Sequence, residues 1–161
     1  MLQLHFLNTT EVDDSNRVLF QQIAKDIRKI VFQDGQGVPT ERDFDEHDSK
    51  ATHFLAFVRG SQMGTPNLNF VATARVIRDN DGFKIGRVAV LPLYRKQQVG
   101  AVLMRHILDS FSWTSSSITL NAQADPDKDQ DVVGFYEKLG FIPDGEKFEQ
   151  AGIMHLPMLY P

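Results

Sequence analysis

The 161-residue chain contains no cysteine, so its chemistry cannot depend on a thiol or on sulfur ligands. This absence excludes disulfide bonds, thiolate zinc sites, iron–sulfur clusters and a cysteine nucleophile. The chain also lacks any apolar run that approaches the roughly 18 residues of a membrane span. Its first residues have neither the basic flank nor the cleavage site of a signal peptide. The sequence therefore predicts a soluble, cytoplasmic protein with no membrane partner.

An excess of positive charge is missing as well. Lys and Arg number 17 against 21 Asp and Glu, which gives a net charge of −4. Nucleic acid is therefore not expected as a partner, because its binding depends on basic contacts to phosphate. Apolar residues are abundant, at 42% with 12 Phe among them. Residues 1–161 are therefore expected to form one globular domain with a sizeable core.

The residues that could bind a metal ion lack the necessary spacing. The five histidines show no pattern typical of metal ligands. The alternating aspartates Asp125, Asp127, Asp129 and Asp131 are reminiscent of a calcium loop. An EF-hand that begins at Asp125 would need Gly and Glu where this chain has Gln130 and Tyr136. No metal is predicted, and a solvated acidic loop is the preferred interpretation.

Hydrophobic periodicity predicts a mixed α+β domain. Alternating apolar residues open the chain, and a helix with an apolar residue every three to four positions follows Asp13. Three consecutive strands come next, the first two separated by a Gly/Ser/Pro loop and the last two by a turn at Asp79–Gly82. Predicted strands cover 2–6, 53–58, 69–77, 83–91, 117–121, 146–149 and 153–159. Predicted helices cover about four to five turns from the caps at 13–15 to residue 31, and then 99–111 and 131–139.

The segment 86–101 has the pattern of a strand that stops at Pro92, a cationic loop, and a helix that begins near Gly100. The N-terminus of a helix leaves backbone N–H groups unpaired and attracts anions. Arg95 and Lys96 add positive charge, so a diphosphate is the natural ligand. Neither nucleotide-binding glycine fingerprint is present. A purely structural strand–loop–helix connection therefore stays open on this segment alone.

The segment 86–101 becomes informative when it is considered with a second block, Phe135-Tyr136-Glu137-Lys138-Leu139-Gly140-Phe141. Together with Val88–Arg95 and Val99-Gly100-Ala101, it resembles the pattern of the GNAT superfamily of acyl-coenzyme A-dependent N-acetyltransferases. Further blocks within 31–53, 120–123 and 145–155 resemble the ElaA/YjcF-type branch of that superfamily. The resemblance covers nearly the whole chain.

This resemblance implies a GNAT fold, with a central, mostly antiparallel sheet flanked by helices. It implies transfer of an acetyl group from acetyl-CoA to an amine, with a backbone N–H of the strand at 88–90 polarising the thioester carbonyl. It also implies that Tyr136 protonates the departing thiolate, a role that suits a phenol with a pKa near about 10. The implied coenzyme-binding residues are Val88, Ala89, Val90, Arg95, Lys96, Gln97, Gln98, Val99, Gly100, Ala101 and Asn121.

One departure from the family pattern lies in the diphosphate loop. The middle glycine of that loop falls at Gln98, and Lys96 stands where the family has a small residue. Because only glycine takes positive φ freely, we expect a differently shaped loop or weaker binding of the coenzyme.

The acceptor and the general base are the least determined parts of the site. Glu149 is the first choice for the base, because the last strands usually border the acceptor pocket in this fold. His155, His53 and Asp45 are chemically able alternatives. The acceptor is expected to be a small-molecule amine or a peptide. The acidic stretch 41–48 indicates either a cationic acceptor or simply a solvated face.

Two functions of other classes compete with the enzyme. One is a catalytically silent acyl-CoA sensor, which the Gln98 departure would suit; the other is an oligomeric scaffold with no affinity for coenzyme A. Edge strands at the C-terminus leave a homodimer open. Among the histidines, His106 is predicted to lie on a solvent-facing side of its helix, whereas His53 and His155 are predicted to be buried and hydrogen-bonded.

Overall fold

The structure, a computed structural model, describes residues 2–126 and 130–161. Within them the strands are β1 Leu4–Asn8, β2 Thr52–Gln62, β3 Thr65–Asp79, β4 Gly82–Val90, β5 Ile118–Asp125, β6 Gln130–Asp131, β7 Ile142–Pro143, β8 Phe148–Gln150 and β9 Ile153–Tyr160. The helices are α1 Asp14–Arg28, α2 Thr40–Asp43, α3 Val99–Ser110 and α4 Val133–Lys138. A π-helical segment, Lys29–Asp34, continues α1, and a short 3-10 helix covers Pro92–Tyr94.

The strands form one mixed sheet in the order β1-β2-β3-β4-β5-β9-β7, with β6 beside β5 and β8 beside β9. Every pairing is antiparallel except that of β4 with β5. This parallel pair joins only residues 83–85 to 118–120. Beyond Ile85 the two strands are no longer paired within the described residues, so a cleft opens in the middle of the sheet. The predicted α+β class and mostly antiparallel sheet are confirmed.

Helices cover both faces of the sheet because successive strand residues point in opposite directions. On β2, Phe54 packs in the cluster beneath α3, whereas Leu55 packs in the cluster beneath α1. The first cluster includes Leu103 and Ile107 of α3, which are fully buried. No helix in the described ranges is long and apolar enough to cross a bilayer.

Helix positions follow the sequence signals closely. The side chain of Asp13 caps α1 by accepting a hydrogen bond from the Asn16 amide at 2.9 Å. Helix α3 begins at Val99, where the pattern predicted it. Gly140, with φ of +104°, follows the last turn of α4 and takes the conformation that favours glycine at a helix end.

The strands depart from prediction where pairing overrides composition. The Gly/Ser/Pro stretch between the first two long strands is not a loop: β2 and β3 continue through it as a hairpin, with the turn at Met63–Gly64. The two-residue strands β6 and β7 carry no hydrophobic pattern and were not predicted. His106 is half-buried and stacked on Phe6 at 4.4 Å between ring centroids, so its surface placement was wrong.

The aspartates of the acidic stretch 41–48 do not form a solvated face, and they do not form a free anionic surface either. Asp43 and Asp48 are buried, and both contact Arg28 of α1, which is 0% exposed. Arg75 of β3 completes the group by binding Asp48 at 2.9 Å and Asp45 at 2.6 Å. The partners lie far apart in sequence, so composition alone could not show that these charges are neutralised inside the protein.

This ion network predicts that the protein loses stability in acid. Burial alone raises the pKa of Asp48, but the hydrogen bonds and charges of Arg28 and Arg75 outweigh it and hold that pKa well below its usual value of 3.8. A carboxyl group with a depressed folded-state pKa stabilises the fold above its unfolded pKa and ceases to do so as the pH falls toward its folded value. The free energy of unfolding should therefore decline as the pH falls below about 4.

Replacing Asp48 by Asn leaves two buried arginines short of a charge, and we expect it to cost about 3–5 kcal/mol at neutral pH. Urea unfolding at pH 7 and at about pH 2.5 measures both effects, since the variant should also lose part of the acid sensitivity below the unfolded pKa. Asp14→Asn is the matched control, because Asp14 forms a solvent-exposed pair with Arg17 and its loss should change little. Equal unfolding curves for the two variants would contradict the network's role.

Candidate active site

The cleft between β4 and β5 continues into a cavity of about 1360 Å³. Its walls run from the N-terminal end of α3, past α4, to the segment around α2. Typical pockets for a drug-sized ligand measure about 300–1,000 Å³. The cavity is therefore large enough for a large cofactor or for two ligands side by side.

Most of the predicted coenzyme-binding residues lie together on this cavity. Two do not present their side chains to it: Ala89 is buried against the α1 face of the sheet, and Gln97 is exposed with its amide donating to the Leu93 carbonyl at 3.0 Å. Alternation along β4 explains the first case, because Val88 and Val90 face the cavity on either side of Ala89. The predicted residues that line the cavity are Val88, Val90, Arg95, Lys96, Gln98, Val99, Gly100, Ala101 and Asn121.

The N-terminus of α3 presents unpaired amides to the cavity. The helical hydrogen bonds begin with the Val102 amide, which donates to the Gln98 carbonyl at 3.0 Å. The three preceding amides, at 99–101, thus have no partner in the helix, and no side chain within the described residues caps this end. The helix dipole adds partial positive charge at the same place. This end of the cavity is built to attract an anion.

The backbone of the diphosphate loop is left-handed at both positions where the sequence departs from the family pattern. Lys96 and Gln98 have φ of 60° and 67°, the left-handed region that glycine adopts freely. Both non-glycine residues thus hold a backbone conformation that glycine would adopt freely. Each does so at a cost of about 1–2 kcal/mol. Arg95 stabilises the turn, since its Nε donates to the Val90 carbonyl at 3.1 Å.

Tyr136 lies on α4, and the cavity reaches its side chain. The residue is 8% exposed, and its ring packs edge-on against Phe135 and Phe141 with centroids 5.0 and 6.0 Å away. Burial raises the pKa of its phenol above the usual value of 10.0. The hydroxyl is therefore protonated at neutral pH and is able to donate a hydrogen bond or a proton.

The first choice for a general base, Glu149, lies outside the main cavity. Glu149 is exposed on β8 and borders a separate cavity of about 450 Å³. Alternation is again the reason: the next residue, Gln150, lines the main cavity, so Glu149 points to the other side of the strand. His53 is also remote from the cavity, since it is buried with its Nε2 donating to the Asp48 carbonyl at 2.9 Å.

His155 of β9 does line the cavity and is held in one orientation. Its Nδ1 lies 2.8 Å from the Ile153 carbonyl, and the ring stacks on Phe148 at 5.7 Å. A carbonyl oxygen only accepts, so Nδ1 carries the hydrogen and Nε2 keeps its lone pair. Burial lowers the pKa of His155, the bond to Ile153 opposes this, and the charge of Arg87 lowers it further. The net result is a neutral imidazole at neutral pH.

Arginines and aspartates line the end of the cavity away from α3, a feature that no sequence motif announced. Asp45, Arg75 and Arg87 all border it. Arg87 has φ of 53° next to a register shift between β3 and β4, so its backbone is strained at a bulge. The strain and the long-range ion pairs are visible only in three dimensions.

No group of three or more residues able to hold a metal ion is found in residues 2–126 and 130–161. Two of the four alternating aspartates lie in the described residues, and one of them departs from the solvated loop that was expected. Asp125 is buried in β5, whereas Asp131 is exposed and its side chain accepts a hydrogen bond from the Val133 amide at 3.1 Å. Asp127 and Asp129 lie outside the described residues.

Comparison with known proteins agrees with this architecture. The family model described as an acetyltransferase (GNAT) domain matches residues 45–160. The uncharacterized N-acetyltransferase YjcF of Bacillus subtilis is 30% identical over 136 residues, which cover 83% of this chain and 86% of YjcF. The protein ElaA of Escherichia coli strain K12 is 35% identical over 101 residues, 60% of this chain and 62% of ElaA.

Solved structures extend the likeness to the whole chain. The crystal structure of Escherichia coli ElaA superposes with a TM-score of 0.72 and 28% identity, covering 99% of this chain and all of the other. An aminoglycoside 6′-N-acetyltransferase, solved in complex with coenzyme A, shares the fold with a TM-score of 0.59 at 13% identity, covering 98% and 96% of the two chains. The predicted fold and family are confirmed: the chain belongs to the GNAT acetyltransferase domain family, in the branch of ElaA and YjcF.

Proposed function

We propose that this protein transfers the acetyl group of acetyl-CoA to an amine by direct attack of the amine on the thioester. One observation carries the proposal: a single cavity joins the unpaired amides of α3, the unpaired edge of β4 and the protonated phenol of Tyr136. These are a site for a diphosphate, a site for an extended arm and an acid for the leaving group. The related fold of an enzyme that binds coenzyme A supports the choice of cofactor.

The residues present fit the coenzyme chemically. Arg95, Lys96 and the amides at 99–101 would hold the diphosphate at the positive end of α3. The backbone of β4 at 88–90 would bind the pantetheine arm, because this edge has no partner strand in the described residues. Asn121 of β5 faces the same cleft from the opposite side. Acetyl-CoA supplies an activated acyl group with a thiolate as its leaving group.

Three groups of the chain would then share the proton transfers and charge stabilisation. His155 is neutral, and its Nε2 has no hydrogen-bond partner among the described residues, so it accepts the proton that an ammonium acceptor must lose, directly or through a water. A backbone N–H of β4 stabilises the negative charge that develops on the carbonyl oxygen. Tyr136 donates its proton to the sulfur as the carbon–sulfur bond breaks, and solvent returns that proton. His155 thus replaces Glu149 as the proposed base.

Replacing Tyr136 by Phe should lower kcat about a hundredfold or more, because the thiolate then leaves without a proton donor. Binding of acetyl-CoA should change little, since the ring and its packing stay. Thiol release and the shift of the unfolding midpoint with acetyl-CoA measure the two quantities separately. Tyr160→Phe is the control, because Tyr160 packs on Phe141 outside the cavity. Acetyl-CoA binding without turnover by either protein would instead favour an acyl-CoA sensor.

Replacing Gly100 by Val should weaken acetyl-CoA binding about tenfold or more. A Cβ here would lie 3.4 Å from Phe135 and 3.6 Å from Val90, which the fold tolerates, but the branched methyl groups would occupy the space beside the α3 amides. Isothermal titration with acetyl-CoA measures the effect. Gly134→Val is the matched control, because a Cβ at Gly134 meets nothing within 4 Å. Equal affinities of the two variants for acetyl-CoA would contradict binding of the diphosphate at this loop.

The pH dependence of the rate tests His155. Because the pKa of His155 is lowered from 6.5, the wild-type rate with a given amine should level off with respect to this group near neutral pH and fall at acidic pH as the imidazole is protonated. His155→Gln should lose this acidic limb together with about tenfold to a hundredfold of kcat. His106→Gln, whose ring packs away from the cavity, should keep the wild-type profile. An unchanged profile in His155→Gln would exclude the histidine as the base.

A further inference from the structure

The end of the cavity away from α3 has an excess of positive charge. Arg42, Arg75 and Arg87 line it, against Asp43 and Asp45. Directly behind this wall, Arg28 and Asp48 are buried and cancel one another. The chain as a whole is acidic, so this local excess is not a reflection of composition.

The aspartates of this wall are already occupied by arginines of the protein itself. Asp43 accepts hydrogen bonds from Arg28 Nε at 3.0 Å and from the Gln33 side-chain amide at 2.9 Å. Asp45 receives a two-pronged contact from Arg75, at 2.6 and 3.0 Å. A cationic acceptor would therefore have to displace a buried guanidinium before it could reach a carboxylate. Such displacement costs several kcal/mol per ion, on the order of the penalty for an unpaired buried charge.

Arg87 is the arginine of the wall that keeps donors to spare. Its Nε donates to the Asp43 carbonyl at 3.1 Å, and its Nη2 donates to the Arg42 carbonyl at 3.0 Å and to Asp45 at 3.2 Å. Its Nη1 donates to none of the described residues, and its side chain is 24% exposed. Burial lowers the pKa of Arg87, and the charges of Arg75 and Arg28 lower it further. The charges of Asp45 and Asp43 oppose this lowering without cancelling it.

The backbone of Arg87 is strained at the same point. A positive φ in a long side-chain residue costs on the order of 1–3 kcal/mol and persists only where the surrounding structure enforces it. The bulge turns Arg87 toward the cavity, and two backbone carbonyls hold the planar guanidinium from one side. Nη1, whose hydrogens meet none of the described residues, can donate a charge-assisted hydrogen bond to a carboxylate oxygen in the cavity. At the rim, the Arg42 guanidinium forms no ion pair with a carboxylate of the described residues.

We propose that the acceptor is a small amine that also bears a carboxylate, an amino acid or a close analogue, and that Arg87, with Arg42 at the rim, binds this carboxylate while the amine faces His155. Arg87 then acts as a determinant of acceptor specificity. The proposal rests on the acetyl transfer proposed above, and it names the acceptor class for that same site.

The test uses the full chain with acetyl-CoA and pairs of acceptors that differ at the carboxyl group, namely L-amino acids and their carboxamides. The polyamine spermidine serves as a purely cationic acceptor. We expect kcat/KM, measured by thiol release, to be about tenfold or more higher for the best amino acid than for its carboxamide. Amine basicity cannot produce this preference, because the carboxamide has the lower amine pKa and hence more free amine at neutral pH. Preference for carboxamides or for spermidine would overturn the proposal and leave acetyl transfer intact.

Variants of Arg87 decide whether the preference comes from this residue. Arg87→Gln should raise KM for the amino acid and bring the ratio of acid to amide close to one, whereas Arg87→Lys should keep part of it. Arg59→Gln, an exposed arginine of β2 outside the cavity, is the control and should keep the full ratio. An unchanged ratio in Arg87→Gln would overturn the assignment even if amino acids prove to be substrates.

A binding measurement covers the case in which no amine of the panel is acetylated. The unfolding midpoint of the coenzyme A-bound protein is compared with each amino acid and its carboxamide at equal concentration. Stabilisation by the acid, lost in Arg87→Gln, supports the proposal; equal midpoints overturn it. A chain whose midpoint does not respond to acetyl-CoA fails the proposed function itself, so the two failures are distinguishable.

Discussion

The short parallel pairing of β4 with β5 is the constraint on which the rest of the structure depends. Only residues 83–85 and 118–120 are joined, and the strands separate beyond them. Separation leaves a strand edge without its backbone partners inside the fold, which a protein normally avoids because unpaired polar groups are costly. Such an edge is stable when it faces a cavity that water or an extended ligand fills. The cleft, the cavity and the exposed start of α3 all follow from this one interruption.

A second interaction fixes the opposite end of the cleft. Arg28 of α1 holds Asp43 and Asp48, and Arg75 of β3 holds Asp45 and Asp48. These contacts attach the 39–48 segment to a helix and to the sheet, although the segment contains only one helical turn of its own. Removing either an arginine or an aspartate would destabilise the fold, because its partner would remain as an unpaired buried charge. The wall proposed to face the acceptor is therefore held to the helix and the sheet by buried ion pairs.

Sequence predicts this protein well where the signal is local. Helix α3 and the cap at Asp13 depend on neighbouring residues, and the block around Tyr136 depends on a contiguous motif; all three lie where they were expected. Prediction failed where three-dimensional pairing decides the outcome. Glu149 and Gln150 are adjacent in sequence, but pairing of β8 with β9 turns only the second toward the cavity. The charge network was not predicted for the same reason, because only folding brings Asp43 close to Arg28 and Arg87.

The interrupted pairing has a mechanical consequence. The sheet consists of two plates, β1 to β4 and β5 with β9 and β7, joined along a seam of three residue pairs at the closed end of the cleft. Within the described residues, no strand pairing joins the two plates beyond this seam, so backbone hydrogen bonds fix the width of the cleft at one end only. A ligand that enters at the open end would therefore not have to break a hydrogen bond between strands.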